Sequence, residues 1–178
     1  TSLGAWVHDE FTDLLEMMDT ARQLRAVEQW LSTDTLTFEL SRLTDATVTL
    51  PSQNNPLAPM YRASELERTA RQSRVRTHAL PSPCLNAHWE AITTGTHRFE
   101  AVVTPNVVAA MTEPAHCSQF TDILTADQAS VFVADESIPD VVGINDRVVY
   151  FGVDDDKGAP LALIETADET VRTWAEET

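Results

Sequence analysis

Between Ala46 and Asp135, short runs rich in Val, Thr and Phe alternate with helix-type runs, and this alternation limits the fold more than any other feature. The order is "ATVTLP", "ASELERTARQ", "RVRTHALP", "CLNAHWEAIT", "HRFEAVVTP", "NVVAAM" with "CSQFTDILTA", then "ASVFVAD". A β-α-β-α-β-α-β series predicts a mainly parallel sheet covered by helices. The strand ends are punctuated alike, by Leu50-Pro51-Ser52, Leu80-Pro81-Ser82, Thr104-Pro105-Asn106 and Ala134-Asp135-Glu136. Each supplies a proline or a capping residue where a strand gives way to a loop or helix. The last third differs: "VVGIND", "RVVYFGV" and "PLALIE", joined by tight polar turns, read as an antiparallel meander. "TADETVRTWAEET" then closes as a helix capped by Thr166 or Asp168, with Val171 and Trp174 facing in.

Ahead of this unit lies a helical pattern from Leu3 to about Leu31. Val7, Phe11, Leu14, Met18 and Ala21 recur at spacings of four and three, and Leu15 and Leu24 broaden the stripe. About 25 helical residues span about 38 Å, longer than a small domain is wide. Part of that apolar face therefore needs a partner, either a second copy or another domain. "STDTLTFELSRLTDA" reads as a cap-rich turn and a short helix carrying Leu36, Leu40 and Leu43. The expected organisation is a linker or dimerisation helix over 1–31 and an α/β domain over 32–178. The expected fold class is α/β: a long helix, a mixed, mainly parallel sheet flanked by helices, an antiparallel meander and a C-terminal helix.

Charge narrows the setting. The 178 residues carry 28 Asp and Glu against 12 Lys and Arg, a net charge of −16, and Lys157 is the sole lysine. A surface this acidic resembles that of a haloarchaeal cytosolic protein, where molar salt screens repulsion to about 3 Å. The same balance argues against this segment touching nucleic acid, which requires a basic stripe. Arg68, Arg71, Arg74 and Arg76 make only a short run with acids just before it. No run approaches the roughly 18 apolar residues of a membrane helix, so no membrane partner is expected. Two cysteines, Cys84 and Cys117, make no disulfide framework and fit a reducing cytoplasm.

Motifs for catalysis are wanting. The five glycines are isolated, so neither a Walker loop nor a dinucleotide fingerprint can be written. There is no Gly-x-Ser-x-Gly elbow, and no strand carries His-x-Lys followed by an aspartate. Cys84 and His88 share a helix face, and with His116 and Cys117 they offer a tetrahedral zinc set. Adjacent ligands and a Cys-x3-His spacing fit such a site poorly, so no metal or other cofactor is expected. The acidic turn "VDDDKGA" lacks the alternating spacing of a calcium loop and reads as an exposed hairpin tip. What remains is position, because open α/β sheets bind ligands beyond the carboxyl ends of their strands. Ser52, Ser82, Cys84, Thr104, Asn106 and Asp135, with His78 just below, are the candidate ligand-pocket residues. Two other readings stay open: a hydrolase or phosphotransferase using His78 or Cys84 near Asp135, and a purely structural oligomerisation module.

The frame "WLSTDTLTFELSRLTDATVTLPSQNNPLAPMYRASEL", then "RVRTHALPSP", "EAVVTPNVVAAM" and "VFVADESIPDVVGINDRVVYFGVDDDKGAPLALIETADETVRTWAE", resembles the C-terminal domain of haloarchaeal winged helix-turn-helix regulators. These are relatives of the methanogenesis regulatory protein that governs filament formation in methanogens. By fold analogy the chain also looks like the phospholipase-D-like sensor domains of archaeal sugar regulators, with the catalytic His and Lys lost. In such regulators a winged helix ends in a phrase like that of Thr1-Ser2-Leu3-Gly4. The resemblance therefore implies a DNA-binding domain ahead of residue 1, a homodimer joined partly through the helix from Leu3 to Leu31, and a non-catalytic domain that senses a small-molecule effector or completes the dimer.

Overall fold

In the computed structural model, helix α1 (Ser2–Val27) leads through 3-10 turns at Glu28–Trp30 and Leu40–Leu43 to strand β1 (Thr47–Thr49). Next come α2 (Ala58–Arg68), β2 (Gln72–Thr77), α3 (Ser82–Thr93), β3 (Arg98–Val103), α4 (Pro105–Met111), α5 (Cys117–Thr125) and β4 (Ala129–Val133). The meander is β5 (Val142–Asn145), β6 (Val149–Asp154) and β7 (Pro160–Thr166), and α6 (Glu169–Glu177) closes the chain. The structure describes residues 2–31, 36–95, 97–155 and 159–178, without the side chains of Ser2, Leu3, Asp9, Asp13 and Glu16.

The seven strands form one sheet in the order β1-β7-β6-β5-β2-β3-β4. β2, β3 and β4 are parallel neighbours, and every other pairing is antiparallel. Following those senses across the sheet, β1, β2, β3, β4 and β6 all run the same way. The sheet is thus mixed, as the element order requires. The parallel strands are not all adjacent, because the meander is inserted between β1 and β2. α2 therefore crosses from one edge of the sheet to its centre.

Strand alternation sorts the side chains onto two faces. Ser73, Val75 and Thr77 of β2 and Phe99, Ala101 and Val103 of β3 are buried on one face. There they pack with Leu85, Ile92, Val107, Met111, Phe120 and Ile123. Leu66, Tyr150 and Leu163 continue this layer beneath α2. On the opposite face Val142, Ile144, Val149, Phe151, Val153 and Ile164 meet Val171 and Trp174 of α6, with Phe38, Leu43 and Val27. Phe38, Phe151 and Trp174 stack edge to face there. This second layer ends at β5. Beyond it Arg74, Arg98, Glu100, Ser130 and Phe132 line an exposed sheet face.

Local chemistry accounts for the element ends. Asp168 caps α6, its Oδ1 accepting from the Thr170 and Val171 amides at 2.8 and 3.1 Å. Proline in the first turn of α2, α3 and α4 sits where a helix needs no N–H donor. The helix expected around Leu36, Leu40 and Leu43 is only the Leu40–Leu43 3-10 turn, which buries Leu43 and leaves Leu40 exposed. Residues 32–35 lie outside the described residues, as do 156–158 of the acidic turn. Arg62 fixes α2 on β7 through a two-pronged pair to Glu165, Nε–Oε2 at 2.8 Å and Nη2–Oε1 at 2.7 Å.

One glycine is dictated by packing. Gly143 lies opposite Tyr150 in the β5–β6 ladder, and a Cβ there would run into the Tyr150 ring. At Gly152 a Cβ would meet only Val141 Cβ, at an ordinary 3.5 Å. Gly143→Ala is expected to cost about 1–3 kcal/mol through overpacking, and Gly152→Ala clearly less. Equilibrium denaturation of the two variants side by side tests this.

Candidate functional site

The strand-end residues named from the sequence do not converge on one pocket. β1 is four positions from β2, about 19 Å at sheet spacing. Ser52 is exposed in a local turn, its Oγ accepting from the Asn55 amide at 3.1 Å. Thr104 is the N-cap of α4, accepting from the Val107 amide at 3.4 Å. Ser82, Asn106 and Asp135 are exposed. Cys84 is turned away from the rim toward α2, with its Sγ 3.5 Å from Ser64 Oγ, and burial pushes the thiol pKa up. A thiol so held is a poor nucleophile. His78 lies one residue past β2 and meets Asp154 of β6, Nε2–Oδ2 at 3.5 Å. Among the described residues no hydrogen bond or ion pair joins His78, Cys84 and Asp135. Their expected grouping is thus replaced by a His78–Asp154 pair, because β6 runs on past the start of the short β5 and brings Asp154 to the end of β2.

Open space lies elsewhere. A shallow groove of about 790 Å³ runs over the uncovered sheet face, past Arg74, Arg98, Glu100, Ser130 and Arg172. Another, of about 900 Å³, separates α1 from β1 between Leu15, Met17, Thr20 and Val48. Two arginines of the run are paired with acids, and a third is bonded to the C-terminal residue. Arg68 pairs with Glu90, Arg74 with Glu176, and Arg76 donates to the Thr178 carbonyl.

α1 is the second feature of note. Thr20 donates to the Ala46 carbonyl at 3.4 Å, Leu24 packs on the core and Val27 is buried, so the C-terminal end of the helix is anchored. Toward the other end the stripe stands free: Val7, Phe11, Leu14 and Met18 are 53%, 59%, 49% and 61% exposed, and Trp6 is 59% exposed. Ala21, on the same stripe, is exposed too.

The third feature was not read from the sequence. Beneath α2 and α3 four polar side chains are sealed from solvent: Glu67, His88, His97 and Ser73. The Tyr150 phenol donates to Glu67 Oε1 at 2.6 Å. His97 Nδ1 lies 3.0 Å from the Ala70 carbonyl, so that nitrogen carries the proton and Nε2 accepts from the Ser73 hydroxyl at 2.9 Å. Glu67 Oε2 is 3.4 Å from His88 Nδ1 and 3.9 Å from His97 Nε2. Burial pushes the Glu67 carboxyl up to about 7, against the pull of the Tyr150 phenol. Burial, and then the neighbouring His97, push His88 down to about 3. The His88 ring also packs on Phe99, with centroids 4.2 Å apart. His88 thus does join a ligand-type group, but with Glu67 and His97 in place of Cys84, His116 and Cys117. Among the described residues these three alone meet that pattern. The sequence signal was faint: Glu67 and His97 stand 21 and 9 residues from His88, and only folding brings them together.

Residues 56–178 match the model of the middle domain of the methanogenesis regulatory protein FilR1, so the chain belongs to that family of regulatory domains. No curated protein matches it in sequence. Among solved structures it is similar to TrmBL2, described as an archaeal chromatin protein with a novel mode of DNA binding. The TM-score is 0.57 at 13% identity, covering 98% of this chain and 64% of that one. It is also similar to NucT from Helicobacter pylori, with TM-score 0.54 at 10% identity, and to Nuc of Salmonella typhimurium, a phospholipase D family member, with TM-score 0.52 at 15% identity. Each of these two alignments covers 74% of this chain and 93% of the other. The fold is therefore the phospholipase-D-like α/β fold, and the chain spans less than two thirds of the chromatin protein. Among the described residues no helix is long and apolar enough to cross a membrane.

Tyr150→Phe keeps the ring over Gly143 but leaves Glu67 Oε1 without its donor. The expected loss is about 1–3 kcal/mol, the cost of an unsatisfied buried acceptor, and chemical denaturation reads it directly.

Proposed function

We propose that this chain is a non-catalytic, dimerising and effector-responsive domain of a haloarchaeal transcription regulator, acting in the cytoplasm. DNA is contacted by a winged-helix domain that precedes residue 1. The observation that carries the reading is the free apolar stripe of α1, on a chain whose family is a regulator's middle domain. A side chain of this size gains about 1.5–3 kcal/mol when fully buried, so two such stripes facing each other supply a dimer seam. That seam would continue toward the N-terminus, where the DNA-reading domains would be set at a fixed spacing.

Two further observations support the reading. Among the described residues the strand-end rim shows no nucleophile paired with a base, which favours binding over catalysis. At the same end of the sheet His78 Nδ1 and Arg76 Nε are buried without hydrogen-bond partners. A small polar effector reaching these two atoms would shift the balance between dimer arrangements by its differential affinity.

The test is light-scattering mass after size exclusion in concentrated KCl, on the wild type and on the double variant Phe11→Glu, Leu14→Glu. A wild-type dimer that becomes a folded monomer is the expected result. A wild-type monomer, or a dimer indifferent to the substitutions, overturns the α1 seam. For sensing, an effector present at 100 times its dissociation constant adds about 2.7 kcal/mol of stability. A metabolite panel read by thermal shift would reveal it.

A further inference from the structure

We propose that Glu67, His88 and His97 form a metal site, one that takes a zinc-like divalent ion and clasps α2, α3 and the entry to β3. Three observations converge on it. The donor set is two imidazole nitrogens and one carboxylate oxygen, a combination that zinc takes at about 2.0–2.2 Å. Donors at that distance around a tetrahedral ion lie about 3.3 Å apart. Glu67 Oε2 and His88 Nδ1 are 3.4 Å apart, and Oε2 and His97 Nε2 are 3.9 Å apart. The three donor atoms all fall within 4.8 Å of one another, so an inward shift of His97, which exchanges its Ser73 hydrogen bond for the ion, completes the set.

The second observation is that two of the three donor atoms are orphans. Glu67 Oε2 and His88 Nδ1 are buried and lack any hydrogen-bond partner, and they face each other. Native interiors seldom leave such atoms unmatched, and a bound ion satisfies both at once. Glu67 is 1% exposed and His88 2%.

The third is the outer set of partners. Metal-bound histidines usually give their other ring N–H to a carbonyl or carboxylate, which fixes the tautomer and aims the lone pair. His97 does this, with Nδ1 at 3.0 Å from the Ala70 carbonyl, and its Nε2 lone pair, which accepts from the Ser73 hydroxyl in this structure, passes to the ion when that hydroxyl turns away. The Tyr150 phenol similarly holds the carboxylate by Oε1, leaving Oε2 for the ion. Two imidazoles with a single carboxylate favour zinc or a neighbouring transition metal over Mg²⁺ or Ca²⁺, whose sites are built from oxygen. The site is remote from α1, so it stands or falls apart from the dimer seam.

The experiment uses the whole chain in molar KCl with excess Mg²⁺, which occupies the many surface carboxylates. Chelator-treated protein is titrated with Zn²⁺ by calorimetry and with Co²⁺ by visible absorption. The expected result is one ion per chain, with intense d–d bands of four-coordinate cobalt. Glu67→Gln and His97→Gln should each weaken binding by more than roughly 100-fold, beyond the 10–100-fold typical of losing an outer partner. Tyr150→Phe should fall within that smaller range. Ring ¹⁵N shifts of the wild type provide a readout that needs no substitution. On adding Zn²⁺, His88 Nδ1 and His97 Nε2 must move to metal-bound values. No stoichiometric binding, binding that survives Glu67→Gln in a folded variant, or unmoved histidine shifts overturns the site.

Discussion

A carboxyl that is 1% exposed cannot stay in an apolar layer unless its partners are buried with it. Much of this molecule is organised by that demand. Glu67 comes from the last turn of α2, His88 from the middle of α3, Tyr150 from β6, and His97 and Ser73 from the approach to β3 and from β2. Holding the five together sets how both helices lie on the sheet. It also explains Gly143, because the Tyr150 ring reaches Glu67 only by lying across a strand position with no side chain. Tyr150 is itself buried and its ionisation is pushed well up, chiefly by burial, so it remains a donor. The knot is polar, yet it fixes the apolar layers around it.

The two faces of the sheet are used differently. One is covered from β7 to β4 by α2, α3 and α5. The other is covered only as far as β5, by α6, the Leu40–Leu43 turn and the end of α1. The short C-terminal helix cannot reach β3 and β4, so mixed charges occupy that area: Arg74, Arg98, Glu100 and Glu176. In concentrated salt such exposed pairs contribute little. The pair from Arg62 to the mostly buried Glu165 is better shielded and ties α2 to β7. The exposed pairs and the shielded pair thus differ in kind, and only the latter registers a helix on the sheet.

A similar fold occurs in a phospholipase D family member and in an archaeal chromatin protein. A fold does not carry a chemistry; residues at one edge do. Here the His-x-Lys pattern is absent, and the end of β2 carries a His78–Asp154 pair. Cys84, the other candidate nucleophile, is packed against Ser64 between two helices. What the fold holds in place is the C-terminal end of a long helix, through Thr20, Leu24 and Val27.

The element order was legible because local chemistry writes it. Strand runs end at Pro51, Pro81 and Pro105, Asp168 caps α6, and the stripe from Val7 to Ala21 has the period of a helix. Burial of Val171 and Trp174 followed from the same periodicity. Tertiary structure decided the rest. It set β1 against β7 instead of β2, since strand pairing depends on covering two faces at once. It scattered Ser52, Ser82, Thr104, Asn106 and Asp135 along the rim as turns, caps and exposed ends. It also turned Cys84 inward and assembled Glu67, His88 and His97 from three elements, a contact that no local spacing encodes. Sequence alone determines what each segment prefers to be; which distant side chains share one buried space is settled only when the segments pack.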